Sequence, residues 1–245
     1  MAVLSTRPRR GVRLTGSSSS VHLLGGLFIA VDGERVDVPE GGKRLLAFLA
    51  LADSAVDRQW AAESLWPDVT GDRAAGNLRS ALWRLRSAGV GVVDSGRRTL
   101  SLTPATVVDV DLLSQWAVQV TDESVPTEKL SYVDWRGDIL DLLPGWYDDW
   151  VIFERERLRQ RLLHALEVLS LRLVRQGQFG EAVEAALLAV QAEPLRESAQ
   201  RALLTAHLAE GNLIEARRAY AWYAELLARE LGVRPGAGLT RLIAG

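Results

Sequence analysis

The sequence of 245 residues contains no cysteine, only two lysines beside 27 arginines, and no long apolar run. The lack of cysteine excludes disulfides, thiol catalysis and cysteine-ligated metal sites. It also fits a reducing compartment, so we expect a cytoplasmic protein. Because no apolar segment approaches the roughly 20 residues that span a bilayer, no membrane partner is predicted.

Patterns for catalysis and for metal binding are also absent from the sequence. Its three histidines, His22, His164 and His207, are far apart in the chain, and no HExxH, GxSxG or Walker-type loop occurs. The acidic pair at residues 148–149 could bind a metal in principle, but acids favour the first turn of a helix for electrostatic reasons. We therefore predict that the protein is not an enzyme and uses no cofactor or metal.

Charge is divided unevenly along the chain, although its net value is only -2. Residues 1–104 hold 14 basic and 10 acidic side chains, a net charge of +4, whereas residues 105–245 hold 15 and 21, a net charge of -6. Residues 1–20 contain arginine and a serine tract but no apolar core, so they are interpreted as a disordered basic arm and not a secretory signal. The asymmetry predicts a nucleic-acid module at residues 21–104 and a second domain at residues 105–245 that does not bind nucleic acid.

Strands and two helices are predicted at the start of this module. Apolar alternation over residues 21–38 surrounds Asp32-Gly33, a dipeptide typical of a tight hairpin turn. A largely apolar helix is expected over residues 43–52. Asp57 is suited to cap a second, short helix, which Pro67 ends.

A third helix, within DRAAGNLRSALWRLRSAG at residues 72–89, carries the strongest functional signal. Its apolar residues Ala75, Leu78, Leu82 and Leu85 recur at spacings of three and four, which predicts one buried stripe. The opposite face and its flanks carry Arg73, Asn77, Arg79, Ser80, Trp83, Arg84, Arg86 and Ser87. Such a helix has the shape and the donors to enter a DNA major groove. Taken alone, the pattern also fits a solvated amphipathic helix.

Two short strands are predicted after the third helix, on either side of residues 95–98. Strands, three helices and a hairpin follow one another in the order of a winged helix-turn-helix domain. In that arrangement the third helix reads the major groove, and the hairpin, or wing, lies near the phosphate backbone or the minor groove.

Residues 21–104 resemble the OmpR-type winged-helix domain in the version carried by the Streptomyces antibiotic regulatory protein family. The matching pieces are GGKRLLAFLAL in the first helix, LWPD at the end of the second, and NLRSALWRLR in the third. The chain departs from the family pattern in the wing, where Arg97-Arg98-Thr99-Leu100 replaces the usual Gly-Tyr.

The resemblance implies roles for residues of the third helix. It places Arg79, Ser80, Trp83 and Arg84 on the groove-facing side, and Arg86 against a phosphate. Arg84 is the expected base reader, since a guanidinium can bond guanine O6 and N7 together. A salt bridge to a neighbouring acid is the alternative for Arg84, and closing a core against the second domain is the alternative for Trp83.

Four further cations are interpreted as phosphate contacts, which add affinity and salt dependence but little specificity. They are Lys43 and Arg44 in the first helix and Arg97 and Arg98 in the wing. Plain solvated charge is the alternative for each of them.

The remaining residues are almost entirely helical in pattern, and part of them repeats. Residues of one helical pair recur 34 positions later: Leu169, Gly177, Gln178, Glu181 and Ala182 match Leu203, Gly211, Asn212, Glu215 and Ala216. This period is the tetratricopeptide signature, in which small residues allow close helix contact and glycine allows the turn. The predicted fold class is therefore mainly α with small β elements: a winged helix-turn-helix domain followed by an all-α tetratricopeptide-like domain.

Residues 135–157, with their WRGD and ERERL stretches, and RELGVRP at residues 229–235 resemble the bacterial transcriptional activator domain. Together the resemblances imply an activator that binds direct repeats in double-stranded promoter DNA, pairs there with a second copy, and contacts RNA polymerase holoenzyme. The alternative from a different class is a helical-repeat adaptor without sequence-specific DNA binding.

Overall fold

The computed structural model describes residues 19–52, 54–130 and 141–244. The chain divides into two compact units, an N-terminal unit at Met1–Asp109 and a C-terminal unit at Val110–Gly245. The sequence placed this boundary after residue 104. Most of the predicted basic arm and the WRGD stretch lie outside the described residues. In the described ranges, no helix is long and apolar enough to cross a membrane.

The N-terminal unit contains two small sheets. Its strands are β1 (Ser19–His22), β2 (Phe28–Val31), β3 (Glu34–Val36), β4 (Val56–Asp57), β5 (Val93–Ser95), β6 (Thr99–Leu102) and β7 (Thr106–Val108). The first sheet has the order β3-β2-β1-β7, with β7 parallel to β1. Asp32 and Gly33 connect β2 to β3 with φ angles of 52° and 87°, so the predicted hairpin is confirmed. Strand β1 begins at Ser19, inside the segment predicted as the arm.

Three helices complete the N-terminal unit: α1 (Glu40–Ala50), α2 (Arg58–Leu65) and α3 (Gly71–Ser87). The Asp57 carboxylate accepts hydrogen bonds from the backbone N–H groups of Gln59 and Trp60 at 2.8 and 3.1 Å, which confirms the predicted cap of α2. The second sheet has the order β4-β6-β5. It therefore contains the predicted hairpin, β5 and β6, together with a strand that leads directly into α2.

Helix α3 packs against α1 through an apolar stripe that differs from the predicted one. The buried residues are Ala74, Leu78, Ala81 and Leu85, whereas Ala75 and Leu82 are only half-buried. At 100° per residue, this difference amounts to a rotation of the helix by about 50°. Gly42 of α1 faces Leu85, which belongs to both stripes, and a Cβ there would lie 2.5 Å from Leu85 Cδ2. Without a side chain at that position, α1 lets Leu85 approach closely.

The C-terminal unit is helical in its described parts. Its helices are α4 (Asp109–Thr121, whose first residue belongs to the N-terminal unit), α5 (Asp149–Arg175), α6 (Phe179–Ala192), α7 (Glu197–Glu210), α8 (Leu213–Leu231) and α9 (Ala237–Ala244). A 3-10 turn, Thr127–Lys129, follows α4. Helix α6 packs against both α5 and α7, and α8 packs against α7.

The expected helical pairs are present in this unit. Gly177 between α5 and α6 and Gly211 between α7 and α8 have φ angles of 74° and 89°, a left-handed conformation that favours glycine. Ala182 and Ala216 are fully buried where the paired helices meet. The predicted fold class, a winged helix followed by helical repeats, is confirmed.

Candidate nucleic-acid interface

Trp83 lies at the centre of the outer face of α3, directly opposite the buried stripe. The residue is 67% exposed, so it does not belong to the core of the N-terminal unit. Its neighbours on this face are small: Gly76 has no side chain, and the Ser80 hydroxyl donates to the Gly76 carbonyl at 3.1 Å. The outer face thus presents one large apolar group beside a smooth stretch of helix, a shape that fits a groove.

Arginines occupy both flanks of this face. On the side of α1, Arg84 packs over Gly41, where a Cβ would lie 2.9 Å from the Arg84 guanidinium carbon. Arg73 and the half-buried Asn77 share that flank. The predicted outer face is corrected accordingly, because the rotation of α3 moves these three residues from its centre to its edge. Arg79 and Arg86 lie on the other flank.

The wing carries Arg97 and Arg98 at its tip, between β5 and β6, and both are exposed. Arg58 of α2 holds this tip in place through three hydrogen bonds. Its backbone N–H donates to the Arg98 carbonyl at 2.9 Å. Its guanidinium donates to Ser95 Oγ at 2.9 Å and to the Gly96 carbonyl at 3.2 Å. Sequence reasoning missed Arg58, whose position depends on the pairing of β4 with β6.

A groove runs between α2, α3 and the wing, and three arginines converge on it. Arg58, Arg79 and Arg97 contribute to its walls, together with Asp72 and Glu63. The Glu63 carboxylate accepts from Gln59 Nε2 at 2.9 Å. The guanidinium groups of Arg79 and Arg97 can bind phosphate oxygens or base edges at this place, whereas that of Arg58 is bonded to Ser95 and Gly96.

Six predicted DNA contacts share one electrostatic property. Among the described residues, none of them forms an ion pair or a side-chain hydrogen bond; they are Arg73, Arg79, Arg84, Arg86, Arg97 and Arg98. The predicted alternative for Arg84, a salt bridge, is therefore not seen in this part of the chain. The two cations of α1 differ, because Lys43 pairs with Glu40 at 2.6 Å and the half-buried Arg44 also has a partner.

The fold and the arginine-bearing face of α3 define the chain as a winged-helix protein with a helical-repeat unit. Comparison with known proteins narrows this class. Residues 132–245 match the family model of the bacterial transcriptional activator domain. A stretch of 108 residues, 44% of the chain, is 37% identical to the regulatory protein AfsR of Streptomyces coelicolor and covers 11% of that protein.

A solved structure shares the fold. It is that of Mycobacterium tuberculosis EmbR in complex with a low-affinity phosphopeptide, with a TM-score of 0.73, 20% sequence identity, and coverage of 94% of this chain and 65% of that chain. Taken together, these matches support the similarity of the chain to the Streptomyces antibiotic regulatory protein family. The resemblance seen in the sequence is thereby confirmed. The chain spans only a small part of AfsR and about two thirds of EmbR.

Proposed function

We propose that this protein is a cytoplasmic transcriptional activator that binds promoter DNA with its N-terminal unit. The observation that carries the proposal is the set of arginines on α3 and on the wing that have no ion-pair partner among the described residues. An unpaired surface guanidinium is free to replace counterions on DNA phosphates, which supplies affinity. With α3 in the major groove, those on α3 can also reach base edges and supply specificity.

The position of each arginine determines whether it contacts phosphates or bases in this proposal. Arg97 and Arg98 contact phosphates from the wing, and Arg86 does so from the last turn of α3. Arg79 and Arg84, on opposite flanks of the outer face, approach base edges, with Arg84 turning away from Gly41 as α3 enters the groove. A guanidinium that bonds guanine O6 and N7 together discriminates this base from the others.

In this proposal the C-terminal unit contacts RNA polymerase holoenzyme instead of DNA. Its segment of the chain is acidic, and most of its described arginines are engaged within the protein. Large apolar side chains nevertheless remain exposed on α8, such as Ile214 at 68% and Trp222 at 50%. Exposed apolar and aromatic groups of this kind suit protein contacts.

Binding by full-length protein to duplexes selected from a random pool tests the DNA-binding step. The double variant Arg79→Ala, Arg97→Ala removes two unpaired cations and should weaken binding about 10-fold to 100-fold. The matched control, Arg218→Ala, Arg229→Ala, removes two arginines of the C-terminal unit and should leave affinity within about twofold. Equal affinity of both variants, or the failure of wild-type protein to enrich any sequence, would support the adaptor instead.

The arrangement on DNA can be tested separately. Residues 1–104 carry a net charge of only +4, a modest electrostatic attraction to DNA, so tight binding should need two copies, head to tail on direct repeats. Inserting about five base pairs between the repeats turns the second copy to the opposite side of the duplex. We expect cooperative binding to be lost on the insertion and regained at about ten base pairs. Indifference to the insertion would rule out the head-to-tail arrangement.

A further inference from the structure

Trp83 makes no contact with the described residues that explains its position. The indole is 67% exposed at the middle of the outer face of α3 and has no ring contact in the described parts of the chain. Burying a tryptophan gains considerable free energy, whereas exposing one in water forgoes it. This placement is therefore suited to an external contact.

The surroundings of Trp83 indicate what it contacts. Arg79 and Arg86 lie on one side of it and Arg84 on the other, all without an ion-pair partner in the described ranges. The acid on this helix, Asp72, is 11 residues away, about 16 Å along the axis. An apolar group framed by unpaired cations is complementary to a polyanion with an apolar feature between its charges.

Double-stranded DNA offers such a feature in its major groove. Among the four bases only thymine presents a methyl group there, at C5, beside the hydrogen-bonding atoms. Ser80, one turn before Trp83, has its hydroxyl bonded to the Gly76 carbonyl, and Gly76 has no side chain. The centre of the face thus offers the indole as its principal reading group.

We propose that Trp83 recognises the C5-methyl group of thymine, so that the binding site carries thymine at one or two positions beside those read by the arginines. This inference rests on the proposed function, because it assumes that α3 enters the major groove. It adds a specificity-determining residue and the chemical group that the residue reads.

Deoxyuridine scanning tests the inference, since replacing thymine by uracil removes the methyl group and keeps the O4 acceptor. A duplex is first selected from a random pool with the full chain, and each thymine is then replaced singly. Wild-type affinity should fall about fourfold at one or two positions, the effect of losing one buried methyl group. Trp83→Ala should bind the original duplex more weakly and respond to neither replacement.

Two further variants make the result decisive. Trp83→Phe retains an apolar ring and should keep part of the response. Phe153→Ala removes an exposed aromatic residue of the C-terminal unit and should respond as wild type does. A wild-type scan without sensitive thymines, or the same sensitivity in Trp83→Ala, would overturn the inference while leaving DNA binding intact. Failure to select any duplex would instead overturn the proposed function.

Discussion

Arginine supplies nearly all the positive charge of both units, yet its surroundings differ between them. In the C-terminal unit, Arg172 is only 6% exposed and donates to the carbonyls of Val120 and Asp122 at 2.8 and 3.0 Å. Arg155 likewise donates to the carbonyl of Leu142 at 2.8 Å. In the N-terminal unit, the six arginines of α3 and the wing have no such partner within the described residues.

Acidic side chains of the C-terminal unit are likewise engaged in hydrogen bonds within the protein. Hydrogen bonds from Arg159 and Gln160 hold the pKa of Glu156 below its ordinary value. Glu167, almost fully buried, accepts from Arg196 at 2.6 Å. Arginine is therefore structural where carbonyls and carboxylates surround it, and available to a ligand where they are absent. The number of arginines in a unit does not separate these two cases. Substitutions of five arginines can test whether the neighbouring groups do.

The largest effect is expected for Arg172→Ala. Its guanidinium also donates to Thr127 Oγ1 at 3.2 Å and to the Val125 carbonyl, so it organises the chain between α4 and α5. Removing it leaves partly buried carbonyls without a donor, which should lower the free energy of unfolding by about 3 kcal/mol. Urea denaturation measures this change. The exposed pair of Arg218 with Glu215 supplies a control, since Arg218→Ala should cost less than about 0.5 kcal/mol.

Arg84→Ala should weaken DNA binding and leave the stability of the protein almost unchanged, the opposite of Arg172→Ala. Because Arg84 has no polar partner in the described chain, the free energy of unfolding should change by less than about 0.5 kcal/mol. Specific DNA binding should weaken by about 1–3 kcal/mol, and preference for guanine should be lost at one position of the selected site. Anisotropy titration and a repeated selection measure both. If the footprint and affinity stay unchanged, base reading belongs to Arg79 or to another residue.

Features encoded by neighbouring residues could be predicted from the sequence. The Asp32-Gly33 turn, the Asp57 cap and the glycine turns at Gly177 and Gly211 each depend on a few adjacent positions. The pairings of β7 with β1 and of β4 with β6 could not, because strands of two to four residues carry too little alternation to reveal a distant partner.

The orientation of α3 in the candidate site could likewise not be predicted from the sequence. Ala74, Ala75 and Ala81 are equally apolar, so periodicity alone cannot decide which of them face the core. The decision comes from packing against α1 and α2, the two helices that α3 contacts. It shifts Trp83 and Arg79 towards the outer face and Arg84 towards its edge. The residue types of the site were thus predictable, whereas their order across the face depends on tertiary packing.

Arg58→Ala should have an intermediate effect, because Arg58 acts through the wing. Losing its bonds to Ser95 and Gly96 frees the tip that carries Arg97 and Arg98. We expect affinity for all DNA sequences to fall about tenfold, as for one to two lost phosphate contacts. Amide exchange should speed up in β5 and β6 but not in α6. Arg58→Lys keeps the charge without the planar donor geometry, so it should restore affinity only in part. Full recovery would make Arg58 a direct phosphate contact.

The smallest effects are expected for Arg97→Ala and Arg98→Ala taken singly. Each removes one cation that has no intramolecular partner among the described residues, so the free energy of unfolding should not change measurably. Each phosphate contact contributes about 0.9 to the slope of log affinity against log salt. Either variant should reduce that slope by about this amount and weaken binding about fivefold near 0.15 M salt. Selected and random duplexes should be affected alike, because phosphates carry no sequence information. A loss confined to the selected duplex would instead make the wing a reader of bases, and the division of roles between α3 and the wing would have to be reversed.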